Sequence, residues 1–279
     1  MKLGIVADEI DRDFGAAVRI GAPLGLRHYE VRFLTTGRVP LCEPAEPREV
    51  ERIAAGEGIE ITALSPGLFK YFDDSAGFAH DLNEVYPKAA ELAHRWRLPG
   101  LIVFGFHKPN ATEQNLATLP PLPVPPQVID WLTEANTRAA SDGLTLMMDP
   151  EPICWFDATV PSGVGPWPAL STLRINYDPG NVTWFQGRDP IDEFPAAPPY
   201  IANVHVKDLK PIHPGVGPEF VPAGEGIIDY RRHFAALPPK PSAAAFKPSS
   251  NHGRHHMRST PLMQSQLGQN NSTPYPATS

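Results

Sequence analysis

Three stretches of sequence decide the fold, and each is a short apolar run that ends in polar residues. They read Leu144-Thr145-Leu146-Met147-Met148-Asp149-Pro150-Glu151-Pro152, Arg174-Ile175-Asn176-Tyr177-Asp178-Pro179-Gly180-Asn181 and Ala202-Asn203-Val204-His205-Val206-Lys207-Asp208. Short apolar runs of this kind are typical of strands buried on both faces of a parallel sheet. The sequence therefore predicts three buried strands whose carboxyl ends carry carboxylate, imidazole and amine groups.

Further apolar runs precede these three, and helical patterns lie between the runs. The earlier runs are Leu3–Ala7, Tyr29–Leu34, Ile59–Leu64 and Leu101–Phe106. Helices are predicted at Phe14–Ala22, Glu46–Gly56, Ala76–Trp96, Pro126–Ala140, Trp167–Leu173 and Ile191–Ala197, with Pro87 predicting a kink or break in the third. Seven strands alternating with helices favour a TIM-type (β/α) barrel of the α/β class over an open sheet.

The last βα unit of this barrel is predicted to be incomplete or degenerate. The place of the eighth strand reads Pro238–Lys247, which is poor in β-forming residues, and no Asp or Glu follows Asp229. Ser, Pro, Asn, Gln and His dominate the remaining sequence, a composition typical of disorder. We therefore expect a barrel domain over residues 1–237 and a low-complexity, disordered tail over residues 238–279.

The composition of the chain indicates its cellular compartment and the kinds of partner it is expected to bind. The net charge of −7 disfavours binding to nucleic acid. Cys42 and Cys154 form no metal or redox motif, which suits reduced thiols in the cytoplasm. The first residues turn acidic too early for a signal peptide, and no apolar run approaches the ~18 residues of a membrane span. We expect a cytoplasmic protein without membrane partners, and a homo-oligomer is compatible with this composition.

The polar residues at the strand ends predict a metal site. Because active sites of parallel barrels lie at the carboxyl ends of the strands, Asp149, Asp178 and His205 are expected to converge. Two carboxylates and one imidazole suit a divalent ion, namely Mn²⁺, Mg²⁺, Co²⁺ or Zn²⁺. The alternative is that the carboxylates cap helix N-termini.

The chain resembles the xylose-isomerase-like TIM barrel superfamily, in its sugar phosphate isomerase/epimerase group. The motifs are Asp149-Pro150-Glu151-Pro152, Tyr177-Asp178-Pro179-Gly180-Asn181, His205-Val206-Lys207-Asp208 and Gly224-Glu225-Gly226-Ile227-Ile228-Asp229, within a match over roughly residues 1–237. The resemblance implies a metal bound by Glu, Asp, His and a last Glu. Asp149 stands in the place of the first Glu, Asp178 and His205 match the next two ligands, and the last has no counterpart.

The resemblance also implies catalytic and substrate-binding residues. Asp149 is expected to move a proton, and Lys207 to bind a phosphate or polarise a carbonyl, unless it pairs with Asp208. Glu151 and Glu225 are alternative replacements for a ligand. Substrate contacts are expected from Glu30, Arg32, His107, Asn181 and Glu225. For Glu30 and Arg32, an internal salt bridge of the barrel is the alternative.

Three functions are compatible with these residues. The first is a metal-dependent isomerase, epimerase or dehydratase that acts on a small sugar, sugar phosphate or inositol-like polyol through an enediolate. The second is a truncated, catalytically impaired member of the same family. The third is a DNA-repair endonuclease of the same superfamily, which the acidic net charge and the few histidines at strand ends disfavour.

Overall fold

The computed structural model of the chain describes residues 2–112, 123–156, 170, 172–187, 189–192, 200–210, 219–237 and 249–250. Its parallel strands are β1 (Lys2–Leu3), β2 (Ile5–Val6), β3 (His28–Val31), β4 (Glu60–Leu64), β5 (Gly100–Phe104), β6 (Thr145–Asp149), β7 (Arg174–Tyr177) and β8 (Ile201–Val204). A short antiparallel pair follows, made of β9 (Asp208–Leu209) and β10 (Phe220–Val221). The strands agree with the seven predicted runs, with the first run divided at Gly4 into β1 and β2.

The helices lie between these strands in the chain, as a βα alternation requires. They are α1 (Phe14–Gly21), α2 (Ala45–Glu57), α3 (Ser75–His80), α4 (Tyr86–Arg95), α5 (Pro126–Ser141), α6 (Pro179–Gln186) and α7 (Tyr230–Ala236). Strands pair in the order β2-β3-β4 and β5-β6-β7-β8, and β4 lies beside β5. The predicted TIM-type barrel is therefore confirmed. Across the described residues, no helix has the length and apolar character to cross a membrane.

The eighth strand position is occupied by β11, which has only two residues, Ser249–Ser250. Ser249 pairs with Lys2 of β1, and Ser250 pairs with both Leu3 of β1 and Val204 of β8. This strand follows, in the chain, the proline-rich stretch where the sequence placed the eighth strand. The degenerate eighth unit is thus confirmed. The disorder predicted for the tail otherwise concerns residues outside the described ranges.

Side chains alternate between two apolar layers, as the pleat of a barrel strand requires. In β5, Leu101 and Val103 belong to the large core between strands and helices, whereas Ile102 belongs to a separate inner cluster. The other members of that inner cluster come from three further strands: Ala63, Met147 and Ala202. The interior of the barrel is therefore packed, and the ionisable groups lie at the strand ends beyond this layer.

The long helix predicted over Ala76–Trp96 is interrupted before Pro87. A π-helical turn, Asp81–Val85, separates α3 from α4, and Pro87 lies in the first turn of α4. Proline has no backbone N–H to donate to the preceding turn, which suits the change from π-helical to α-helical bonding at this point. The Asp81 carboxylate accepts a 2.6 Å hydrogen bond from the backbone N–H of Phe69, a non-glycine residue with a φ of 65°. The turn thus fixes a strained loop residue.

Helices α6 and α7 were not predicted, although each begins with a recognisable cap. Asp178 accepts a hydrogen bond from the backbone N–H of Asn181, with Pro179 in the first turn of α6. Asp229 caps α7 in the same way through Arg232. The helices predicted at Trp167–Leu173 and Ile191–Ala197 lie mostly outside the described residues.

Candidate metal centre

Three potential ligands converge at the carboxyl ends of adjacent strands. Asp149 is the last residue of β6, Asp178 follows β7, and His205 follows β8. One ligand atom from each lies within 4.8 Å of the other two, and both aspartates are buried. We call this group the three-ligand cluster. Parallel pairing of β6 with β7 and of β7 with β8 brings the three residues to one edge of the barrel.

A chain of side-chain amides holds Asp149 in place. Asn203 of β8 donates a 2.7 Å hydrogen bond to the Asn176 carbonyl oxygen, and Asn176 of β7 donates one of 2.8 Å to Asp149 Oδ2. Asn181 donates a 3.0 Å bond to the other oxygen, Oδ1. Both carboxylate oxygens are therefore oriented by neutral donors, which fixes the direction of their remaining lone pairs.

His205 lies between carboxylates on both edges of its ring. Nδ1 is 3.2 Å from Asp149 Oδ2 and 3.9 Å from Asp178 Oδ2, whereas Nε2 is 2.8 Å from Glu30 Oε2. Burial opposes protonation of this ring, but Glu30 and Asp149 outweigh that effect and raise the pKa of His205 well above its ordinary value. A divalent ion at Nδ1 would compete with a proton for the same lone pair, so metal binding there would depend on pH.

Lys207 adds a second cation at the same edge. Its Nζ lies 2.9 Å from Asp178 Oδ2 and 2.6 Å from the Asn181 carbonyl oxygen. Burial favours the neutral amine, but the aspartates at 178 and 149 outweigh it and raise the pKa of Lys207. The alternative prediction, that Lys207 pairs with Asp208, is therefore wrong. Asp208 instead accepts hydrogen bonds from the backbone N–H groups of Gly224, Gly226 and Ile228.

The loop that Asp208 holds carries Glu225, which the sequence offered as a substrate contact or a replacement ligand. Glu225 is exposed and does not belong to the three-ligand cluster. Glu151, the other alternative ligand, pairs with Lys70 at 2.7 Å. Burial raises the pKa of Glu151, but Lys70 and other nearby cations outweigh that effect and lower it. Glu151 is thus an ionised partner of Lys70.

The remaining predicted substrate contacts lie in different surroundings. Arg32 forms a 2.8 Å ion pair with Asp8, which is the internal salt bridge weighed as the alternative for this residue. Glu30 contacts His205 and is almost fully buried. His107 forms an antiparallel bridge with Cys154, and burial lowers the pKa of its ring. Asn181 is engaged by Asp149 and Lys207, so its amide positions the cluster.

Sequence reasoning missed Asn176, Asn203 and Lys70. The two asparagines left a signal, because a polar residue inside a short buried strand needs a partner. Lys70 left none, since it lies in a loop and meets Glu151 across 81 positions of sequence.

These features define a TIM barrel with an ionisable cluster at the carboxyl ends of its strands. The chain belongs to the xylose isomerase-like TIM barrel family, whose family model matches residues 18–240. The resemblance inferred from the motifs is thereby confirmed. No curated protein matches the chain significantly in sequence.

Solved structures share the fold at low sequence identity. The probable 3-DHS dehydratase AsbF of Bacillus anthracis superposes with a TM-score of 0.63 at 16% identity, over 96% of this chain and 97% of its own. The IolI protein with a bound zinc atom superposes with a TM-score of 0.65 at 16% identity, over 95% of this chain and 92% of its own. A D-tagatose 3-epimerase-like protein gives 0.60 at 14% identity, over 90% of each chain.

The residues present fit a divalent ion by their chemistry. Two carboxylates and an imidazole within 4.8 Å of one another match the ligand types of borderline and hard divalent ions. One further carboxylate oxygen nearby, Glu30 Oε1, is buried and has no hydrogen-bond partner in the described part of the chain.

Proposed function

We propose that this chain is a metal-dependent enzyme that isomerises, epimerises or dehydrates a small sugar, sugar phosphate or inositol-like polyol. The observation that carries the proposal is the convergence of Asp149, Asp178 and His205 on one edge of the barrel. The probable dehydratase and the epimerase-like protein among the structural relatives support this range of reactions. The zinc atom in a third relative supports a divalent ion.

The chain's own residues suit proton transfer next to a carbonyl group. When bound, a divalent ion would supply positive charge to a carbonyl and an adjacent hydroxyl. Burial raises the pKa of Asp149 against the opposing effect of His205, which suits a carboxylate that takes and returns a proton. Lys207 keeps about a third of its side chain exposed, so its ammonium can donate to a substrate oxygen. Asn181 is hydrogen-bonded to both Asp149 and Lys207 and fixes the distance between them.

Metal binding is tested on the purified chain by measuring bound metal and thermal unfolding with and without added Mn²⁺ or Zn²⁺. Binding is expected to raise the unfolding temperature, because an ion held only by the folded state stabilises it. Asp178→Asn is expected to abolish the shift, and Asp130→Asn, an exposed position on α5, serves as the matched control. Neither bound metal nor a shift in the unaltered chain would overturn the proposal.

Proton transfer is tested by exchange of carbon-bound hydrogen in deuterated water, followed by NMR over a panel of ketoses, sugar phosphates and inosose-type ketones. Exchange of a carbon-bound hydrogen with the solvent shows that the enzyme removes a proton from the substrate, even when the product is unknown. Asp149→Asn is expected to lower the exchange rate by about 100-fold or more. A metal-bound protein that exchanges no member of the panel would contradict the reaction class.

An impaired member of the same family is the second candidate, and β11 favours it. The eighth strand position holds Ser249–Ser250 and offers no carboxylate. In this case the chain binds metal but turns over no substrate, so the two experiments above separate the candidates. The endonuclease alternative gains no support from a net charge of −7. Cytoplasmic location, a homo-oligomer and the domain limits at residues 1–237 and 238–279 stay predictions.

A further inference from the structure

Glu30 is a buried carboxylate that the proposed reaction does not use. It lies on β3, and only 1% of its surface is exposed. Its Oε2 is 2.8 Å from His205 Nε2, while its Oε1 has no hydrogen-bond partner among the described residues. Burying a carboxylate is costly unless partners compensate the charge. Within the described part of the chain, Glu30 makes its hydrogen bond to His205, which ties the role of this carboxylate to the imidazole.

The two nitrogens of His205 face different carboxylates, while Asn176 Nδ2 lies 3.1 Å from Nδ1 and 3.5 Å from Nε2. Nδ1 points toward Asp149 and Asp178, at 3.2 and 3.9 Å from their Oδ2 atoms. Nε2 points the other way, toward Glu30 on the opposite edge of the ring. Only Nδ1 therefore shares a face with the other two potential ligands. When Nε2 keeps its proton for Glu30, the lone pair of the neutral ring resides on Nδ1.

We propose that Glu30 is a positioning residue of the metal centre, which holds His205 in the tautomer and orientation that present Nδ1 to the ion. This inference rests on the metal site of the proposed function. Carboxylates that accept the second N–H of a ligating histidine fix its ring and raise its basicity. Glu30 accordingly acts through His205, in place of the substrate contact that the sequence suggested.

An ordinary structural ion pair is the competing explanation, and it differs in its consequences. A structural pair would stabilise the fold without altering affinity for metal. A positioning carboxylate sets the direction and basicity of Nδ1, so its loss weakens metal binding even in a well-folded variant. Glu30 joins the second barrel strand to the seventh across 175 positions of sequence, so either role is compatible with the fold.

The first test compares metal affinities of Glu30→Gln and the unaltered chain, using Zn²⁺ in competition with a chromogenic chelator. Glutamine keeps the volume and an acceptor oxygen but removes the charge. We expect affinity to fall about 10- to 100-fold. Glu60→Gln, which changes an exposed carboxylate on the neighbouring strand β4, is the matched control and is expected to leave affinity within about twofold.

Two results would overturn the inference. Affinity of a folded Glu30→Gln within twofold of the unaltered chain would show a structural pair only. The second measurement needs no change at Glu30: ¹⁵N NMR of the Zn²⁺-bound chain, with the His205 signals assigned through His205→Gln, identifies the ligating nitrogen. Zinc on Nδ1 with a proton on Nε2 is expected, and zinc on Nε2 would refute the proposal. Absence of zinc binding by the unaltered chain would overturn the proposed function together with the inference.

Discussion

Replacing Asp81 by asparagine is predicted to stabilise the protein at neutral pH and to have little effect in acid. Asp81 lies in the π-helical turn between α3 and α4, with only 2% of its surface exposed. Burial raises its pKa from 3.8 to about 6, against the opposing effect of the Phe69 N–H. The carboxylate form is therefore unfavourable in the folded state. Asparagine keeps an oxygen for the Phe69 N–H and carries no charge.

The magnitude follows from the shift in pKa. The difference between 3.8 and about 6 is roughly 2 units, and each unit corresponds to about 1.4 kcal/mol, so the charge costs up to about 3 kcal/mol. The folded state binds more protons than the unfolded state between about pH 4 and pH 6. The contribution of the protonated Asp81 to the stability of the folded state is therefore fully present below pH 4 and is lost as the pH rises through 6.

The assay is urea denaturation of both proteins at pH 4, 5, 6 and 8, and the measured quantity is their difference in free energy of unfolding. At pH 8 the free energy of unfolding of Asp81→Asn is expected to be about 1–3 kcal/mol higher than that of the unaltered chain, and this difference is expected to shrink toward pH 4. Glu84→Gln, an exposed position in the same turn, is the control. A variant that is less stable at pH 8, or a gap independent of pH, would refute the reasoning.

Further predictions concern the strand ends and their supports. Asp208→Asn puts an amide N–H against the N–H groups of the 222–229 loop. We expect urea denaturation to show a free energy of unfolding lower by about 2–4 kcal/mol, and a decrease under about 0.5 kcal/mol would contradict this expectation. Gly180→Ala places a Cβ 2.8 Å from the Lys207 carbonyl oxygen, so about 1–3 kcal/mol of destabilisation is expected in the same assay, and unchanged stability would refute that close approach. Asn176→Leu removes a donor from Asp149 and is expected to weaken Zn²⁺ binding about tenfold in chelator competition; unchanged affinity would show that the amide chain does not act on the metal.

The barrel could be predicted because its evidence is local. Short apolar runs such as Leu101–Phe106 mark buried strands, and the amphipathic pattern of Pro126–Ala140 marks a helix, without knowledge of distant residues. The convergence of Asp149, Asp178 and His205 followed from topology, since adjacent parallel strands end at one edge. Helix α6 also had a local signal, because an Asp-Pro pair marks an N-cap and first turn. Capping was considered only as an alternative to metal binding at Asp178, whereas the structure shows this residue both capping α6 and lying in the three-ligand cluster.

The contacts of the site could not be predicted, because they join residues far apart in the chain. Glu30 meets His205 across 175 positions, and Lys70 meets Glu151 across 81. Periodicity shows that such residues face the interior, but their partners depend on register and loop conformation. The position of β11 was missed for a related reason. A strand of two serines has no apolar pattern, and only its pairing with β1 and β8 defines it.

The amide chain from Asn203 through Asn176 to Asp149 has a direction. Asn203 donates to the Asn176 oxygen, and the Asn176 nitrogen donates to Asp149, so the hydrogen bonds run one way, from β8 toward β6. An ionised carboxylate suits the end of such a series, because it accepts at both oxygens and donates nothing. An asparagine at 149 would still accept from Asn176 through its oxygen, but its amide nitrogen would then oppose the Asn181 amide. The two amide donors thereby favour a carboxylate over an amide at position 149.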